Sequence, residues 1–146
     1  METFRGSYQA TVDDKGRLKL PARLKGQLEQ WYGPHVFITS IGPAELRVYP
    51  LPVWEELERR FIARPSMDPL VQRLLEHANY GQEDEVDAQG RVLIPVLLRE
   101  VLAVAGEVVV SGRGRFLAVV ARERAQTELA TAFTTEELAA LAALEQ

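Results

Sequence analysis

The sequence predicts an α+β fold, mainly β, built from two copies of one small unit, and three observations predict it. First, Val12-Asp13-Asp14-Lys15-Gly16-Arg17-Leu18-Lys19-Leu20-Pro21 returns 74 residues later as Val86-Asp87-Ala88-Gln89-Gly90-Arg91-Val92-Leu93-Ile94-Pro95. Val12/Val86, Asp13/Asp87, Gly16/Gly90, Arg17/Arg91 and Pro21/Pro95 are identical, and Leu18/Val92, Leu20/Ile94 and Leu24/Leu98 keep the apolar pattern. A gap-free match at half the chain length marks an internal repeat. Second, apolar residues alternate on both sides of each repeated Gly, which is the period of a half-buried strand. Third, runs of helical spacing follow each Pro and fill the stretch between the copies.

Each half reads as strand, tight turn, strand, helix and hairpin. Tyr8 to Val12 alternates into the first turn, where Asp13 to Gly16 supply turn residues and Gly16 can take a positive φ. Arg17 to Leu20 alternates out of it, with Leu18 and Leu20 on one face and Arg17 and Lys19 on the other. Pro21 suits the first position of a helix carrying Leu24, Leu28 and Trp31, which Gly33-Pro34 ends. Strands Val36–Ile41 and Glu45–Tyr49 follow, joined by Gly42-Pro43-Ala44. In the second half Pro95 opens a helix with Leu98, Val101 and Leu102, and strands Val108–Ser111 and Phe116–Val120 flank a Gly112 to Arg115 turn.

Two helices are expected between the copies. Pro52–Ala63 would bury Trp54, Leu57 and Phe61 and pair Glu55/Arg59 and Glu56/Arg60 on its surface. The next is capped by Asp68-Pro69 and carries Leu70, Val71, Leu74 and Leu75. A helix from about Arg122 to Ala132 follows the second hairpin. Thr134-Thr135-Glu136-Glu137 then reads as a capping box opening a short helix with Leu138, Leu141 and Leu144. A helix so short is marginal alone in water, so it is expected to dock, on its own body or on a neighbouring subunit. The boundaries that follow are one unit at 7–52, a helical connector at 53–80, a second unit at 81–124 and a helical tail at 125–146.

Composition narrows the function. The chain of 146 residues is 47% hydrophobic, enough for a core, although each half alone would be marginal. With no cysteine, disulfides, thiolate metal sites and cysteine nucleophiles are excluded. No apolar run reaches the length of a membrane span and no signal-peptide pattern opens the sequence, so an intracellular protein without a membrane partner is expected. The net charge of −4 is unevenly spread: residues 1–73 carry eleven Lys and Arg against nine Asp and Glu, residues 74–146 six against twelve. Because the field at a surface is local, an acidic total permits a basic face around Arg5, Lys15, Arg17, Lys19, Arg23 and Lys25.

No catalytic constellation assembles. His35 and His77 stand in no ligand or triad spacing, Gly112-x-Gly114 lacks the Lys-Ser/Thr of a phosphate loop, and Glu83, Asp84, Glu85 and Asp87 fit no calcium loop. The reading is a non-enzyme, with no cofactor, metal or small-molecule substrate. That leaves Arg17 and Arg91, each just after a turn Gly and four residues after an Asp. Asp13 and Asp87 can pair with them and pin the turns, or the arginine forks can project toward phosphate or a base edge. The two roles are compatible, since a carboxylate that orients a guanidinium also preorganises it. The copies differ: Lys15 and Lys19 in the first become Gln89 and Leu93 in the second, behind the acidic run Glu83-Asp84-Glu85. Binding to a polyanion would therefore rest mainly on the first copy.

At the repeated turn the chain resembles a known family. Phe4-Arg5-Gly6-x-Tyr8, Asp13-x-Lys15-Gly16-Arg17-Leu18-x-Leu20-Pro21, Tyr49-Pro50-x-x-x-Trp54 and Asp87-x-Gln89-Gly90-Arg91-x-x-Ile94-Pro95-x-x-Leu98-Arg99 are similar to MraZ proteins over roughly residues 4–120. The resemblance implies two SpoVT-AbrB-type halves in a swapped-hairpin β-barrel, flanking helices, and assembly of protomers into a homo-oligomeric ring. It also implies a cytoplasmic, nucleoid-associated transcriptional regulator that binds direct repeats in double-stranded promoter DNA, often repressing its own division and cell-wall operon. Carried onto this sequence, it assigns DNA contact to Arg17 and Arg91 with Lys15 beside the first, and turn shaping to Asp13 and Asp87; the charge pattern adds Lys19 and Arg5 to the expected contacts, and the turn pattern adds Gly16 and Gly90. Phe116 to Ala121 lacks the aromatic-acidic ending common in the family, and 134–146 lies outside the match. The alternative is a ring-forming structural or protein-interaction protein without a direct DNA role, using the acidic second half and the Leu138/Leu141/Leu144 face.

Overall fold

The computed structural model describes residues 2–42, 44–64 and 68–146; Pro43, in the expected turn between two strands, lies outside the described residues. The elements run β1 (Ser7–Val12), β2 (Arg17–Lys19), α1 (Ala22–Trp31), β3 (His35–Thr39), β4 (Leu46–Pro50), α2 (Leu51–Ile62), α3 (Pro69–Ala78), β5 (Gln82–Glu85), β6 (Arg91–Leu93), α4 (Val96–Leu102), β7 (Gly106–Gly112), β8 (Leu117–Ala121), α5 (Arg122–Ala130) and α6 (Thr135–Leu144). The eight strands form one antiparallel sheet in the order β5-β3-β4-β8-β7-β1-β2-β6.

That order interleaves the halves. β1 pairs with β7 of the other half from Ser7↔Ser111 to Val12↔Gly106, and β5 pairs with β3 from His35↔Glu85 to Ile38↔Gln82. Strands β2 and β6 pair with each other, as do β4 and β8. Each half thus gives its first strand to the other's hairpin, and the result is a nearly closed barrel of two pseudo-symmetric swapped-hairpin halves. Between β5 and β6 the Asp87 N–H donates to the Arg91 carbonyl (3.1 Å) and the Leu93 N–H to the Asp84 carboxylate (2.7 Å). The equivalence slips along the chain: Gln9 opposes Val109 while Glu83 opposes Phe37, so Phe37 answers Val109, two fewer residues apart than the turns.

Inward residues of both halves fill one core: Val12, Leu18, Leu20, Leu24, Leu28, Val36, Ile38 and Leu46 pack with Val92, Ile94, Leu98, Leu102, Val108, Val110, Leu117 and Val119. Neither half keeps its own core. A second cluster joins Phe37, Tyr49, Val53, Trp54 and Ala78, with Trp54 stacked on Phe37 at 4.8 Å between centroids, and attaches α2 and α3 to the outside of β3 and β4.

Several local expectations need correction. Pro21 and Pro95 stand one residue before their helices, at the N-cap with ψ near 136°, because each continues the extended chain of β2 or β6. On α4, Leu98 and Leu102 face the core but Val101 is 72% exposed, since seven residues offer only a narrow i, i+4 stripe. Leu70 on α3 is likewise exposed. The capping box at Thr134 is present with both hydrogen bonds, yet α6 does not dock on its own body: Leu138, Leu141 and Leu144 are all exposed and neither α5 nor α6 buries a residue. Among the described residues, none covers these leucines enough to bury them.

Candidate nucleic-acid interface

The repeated turns are built alike, bond for bond. In the first, the Asp13 carboxylate accepts from the N–H groups of Lys15 (3.0 Å) and Arg17 (2.9 Å) and, through its other oxygen, from Arg17 Nε (3.0 Å). In the second, Asp87 accepts from the N–H groups of Gln89 (2.9 Å) and Arg91 (2.9 Å) and from Arg91 Nε (3.2 Å). The Gly16 and Gly90 N–H groups close the turns onto the Asp13 and Asp87 carbonyls, and the glycines take φ of +84° and +81°, which L side chains adopt only with strain. Asp needs both oxygens for this task, and Arg is the side chain whose Nε reaches back while its two Nη groups point onward.

This network shifts the carboxyl groups. The Arg17 backbone N–H, above all, holds the Asp13 carboxyl below the usual carboxylate range; partial desolvation works against it, and the Arg17 side chain and Lys15 N–H add to it. The Arg91 backbone N–H does the same for Asp87, against desolvation and with help from the Gln89 N–H and the Arg91 side chain. Both aspartates are ionised well below neutral pH, so each arginine fork is held by a full negative charge through Nε alone.

The barrel brings the two turns together. Strands β2 and β6 pair as Arg17↔Leu93, Leu18↔Val92 and Lys19↔Arg91. The flanking bonds repeat the symmetry, from the Leu20 N–H to the Gly90 carbonyl (2.8 Å) and from the Ile94 N–H to the Gly16 carbonyl (2.9 Å). Leu18 and Val92 point into the core, so strand alternation sends Arg17, Lys19, Arg91 and Leu93 to the outer face. Lys19 and Leu93 are exposed and Arg17 and Arg91 half-buried. The backbones of Arg17 and Arg91 are diagonal neighbours, about 7–8 Å apart by sheet geometry. Lys15 lies exposed at the tip of the first turn.

Of the residues singled out from sequence, Lys15, Arg17, Lys19 and Arg91 therefore share one ribbon, held by Asp13, Gly16, Asp87 and Gly90. Arg5 does not join them. It lies beyond the far end of β1, about 20 Å of extended chain from the turn, and its Nη2 donates to Thr3 Oγ1. The acidic run stays near: Asp84 and Glu85 line the same shallow hollow as Arg17, Asp87, Arg91 and Leu93. Two residues named in the sequence, Arg99 and Lys25, had no role at the turns assigned to them there. Arg99 on α4 lies against Gly16, and Lys25 on α1 lies against Gly90. Their equal offset in the repeat, each one residue after Leu24 or Leu98, was the available signal. Among the described residues, no three His, Cys, Asp or Glu side chains gather as a metal site, and no helix is long and apolar enough to cross a membrane.

Two swapped-hairpin halves sharing one barrel, each with an Asp-anchored arginine at its turn, define a duplicated swapped-hairpin β-barrel protein. Comparison with known proteins resolves the family. Residues 3–77 match the family model described as "MraZ protein, putative antitoxin-like". The chain is 46% identical over 121 residues to a transcriptional regulator MraZ of Acidobacterium capsulatum, covering 82% of this chain and 83% of that protein. It is 44% identical over 137 residues to one of Koribacter versatilis, covering 92% and 93%, and 34% identical over 136 residues to one of Nitrosomonas europaea, covering 92% and 91%. The chain belongs to the MraZ family.

Proposed function

We propose that this protein is a sequence-specific, DNA-binding transcriptional regulator that represses its own division and cell-wall operon by binding direct repeats in the promoter. The relatives' name as transcriptional regulators supports the regulatory role. The observation that carries the DNA reading is the outer face of the β2–β6 ribbon, where Arg17, Lys19 and Arg91 lie together and Arg17 is held by Asp13 at 3.0 Å. A two-stranded ribbon fits the major groove, where an arginine fork on guanine O6 and N7 gives about 1–3 kcal/mol of discrimination. Lys15 and Lys19 supply phosphate attraction and salt dependence. Residues 7–52 and 81–124 act as one recognition unit, with 53–80 as connector and 125–146 as tail. One ribbon grips little DNA, so several protomers in a homo-oligomeric ring engage successive repeats and gain affinity by avidity. The protein works in the cytoplasm, on the nucleoid.

A gel shift on the DNA upstream of its own gene tests this. Arg17→Ala should abolish the shift, and retained wild-type affinity would sink the proposal. In a salt titration Lys15→Ala should lower the slope of log K by about 1; an unchanged slope removes Lys15 from the interface. A second reading, a protein-interaction ring without direct DNA contact, draws on the exposed Leu70, Tyr80, Leu97 and Val101 and the uncovered leucines of α6. Size-exclusion chromatography at several salt concentrations, with and without promoter DNA, separates the two.

A further inference from the structure

Arg99 sits in the second half, on α4, but its guanidinium lies against the first half's turn. A Cβ placed on Gly16 would fall within 2.6 Å of its Cζ, Nε and Nη1. Its Nε is buried with no hydrogen-bond partner among the described residues. The symmetry mate behaves differently. Lys25 covers Gly90 with its aliphatic stem, Cδ lying 2.9 Å from the corresponding position, while its ammonium pairs with Glu29 at 3.1 Å. A planar cation has thus been left short of one hydrogen bond in order to fill the shelf under Gly16. A buried donor without a partner is costly, and packing against the turn is what it has in return.

We propose that Arg99 is a positioning residue for the first turn: the second half, through Arg99, fixes the Lys15-Gly16-Arg17 segment in the shape that presents Lys15 and Arg17 to DNA. This rests on the DNA-binding reading above. The Ile94 N–H bond to the Gly16 carbonyl anchors the same turn from β6, immediately before α4, so the turn is gripped on two sides by the other half. Recognition by the first copy then requires the intact duplication. The inequality of the copies extends beyond charge on the ribbon, because the first turn rests on a flat guanidinium and the second on a flexible alkyl stem.

The test combines promoter binding with amide hydrogen exchange on the full chain. Arg99→Ala should weaken promoter binding at least tenfold and speed exchange at Gly16 and Arg17, with the salt slope of binding unchanged. Arg99→Met, which refills the shelf without charge, should recover part of both losses. Lys25→Ala should disturb exchange at Gly90 and Arg91 and cost less affinity. If Arg99→Lys restores binding where Arg99→Met does not, and Arg99→Ala lowers the salt slope by about 1, Arg99 acts as a charge on phosphate and the positioning role is wrong. Wild-type affinity and exchange in Arg99→Ala also overturn it. Loss of binding in Arg17→Ala in that same case would leave the DNA reading standing, whereas retained binding in Arg17→Ala would remove the DNA reading itself.

Discussion

Leu18 and Val92, equivalent residues of the two repeats, face each other across the β2–β6 pair and mark the local two-fold of the barrel. Everything on either side of them is duplicated: Arg17 opposes Leu93 as Arg91 opposes Lys19, and the Gly16 and Gly90 carbonyls receive the Ile94 and Leu20 N–H groups. The internal repeat is therefore a pseudo-symmetric surface rather than two sites in tandem. Its backbone is symmetric while its side chains are not.

That pair also belongs to the core, and both residues are at most 1% exposed. Leu18→Ala should destabilise the fold by about 2–5 kcal/mol, the cost of lost burial plus a cavity. Urea denaturation measures it, and the loss should appear in a single transition, because no half has a core of its own.

Two glycine substitutions should have opposite signs. Gly16→Ala meets the Arg99 guanidinium and a φ of +84°, so it should destabilise by about 1 kcal/mol or more. Gly26 lies within α1 with nothing within 4 Å of a new Cβ. Gly26→Ala should stabilise by about 0.5–1 kcal/mol. Thermal melts of the two variants check the pair.

Acid should weaken the turns. Asp13 and Asp87 have folded-state pKa values lowered from 3.8, so their stabilisation is fully present above that value and is lost as pH falls through the lower folded value. Between neutral pH and about 5 these two groups contribute no pH dependence, and below about 4 stability should fall. The double variant Asp13→Asn/Asp87→Asn should be less stable at pH 7 and show a shallower decline in acid, as measured by melting temperature from pH 2 to 7.

The turns were legible in the sequence because they are local: Asp, Gly and Arg at fixed spacing specify the hydrogen bonds that form. The Asp68 and Thr134 caps were legible for the same reason, each closing within a few residues. The strand swap was not written in any local pattern. Pairings such as Tyr8↔Val110 and Phe37↔Glu83 join distant strands, and alternation tells which residues point inward without telling which strand lies alongside; only the resemblance implied it. Nor could spacing show that both arginines would share one ribbon, that Arg5 would be left at the far end of β1, or that Arg99 would cross to Gly16. The tail misled because a leucine face predicts a partner without saying where the partner is.

Removal of residues 131–146 should leave the melting temperature of the barrel within about 2 °C, since no residue of α6 is buried. Differential scanning fluorimetry checks this, and a large drop would show that α6 packs somewhere in solution. Light scattering on the same variant reports whether the exposed leucines hold protomers together.

The outer face of the β2–β6 ribbon is proposed to read DNA. Fluorescence anisotropy at fixed salt, with promoter DNA and a shuffled duplex of equal length and composition, tests it most directly. Wild-type protein should prefer the promoter, and Arg17→Ala/Lys19→Ala/Arg91→Ala should lose that preference and about a hundredfold or more in promoter affinity, while staying folded at the assay temperature with only a small fall in melting temperature from the lost Asp13 and Asp87 ion pairs. Equal affinity of this triple variant and the wild type for the promoter would contradict the account.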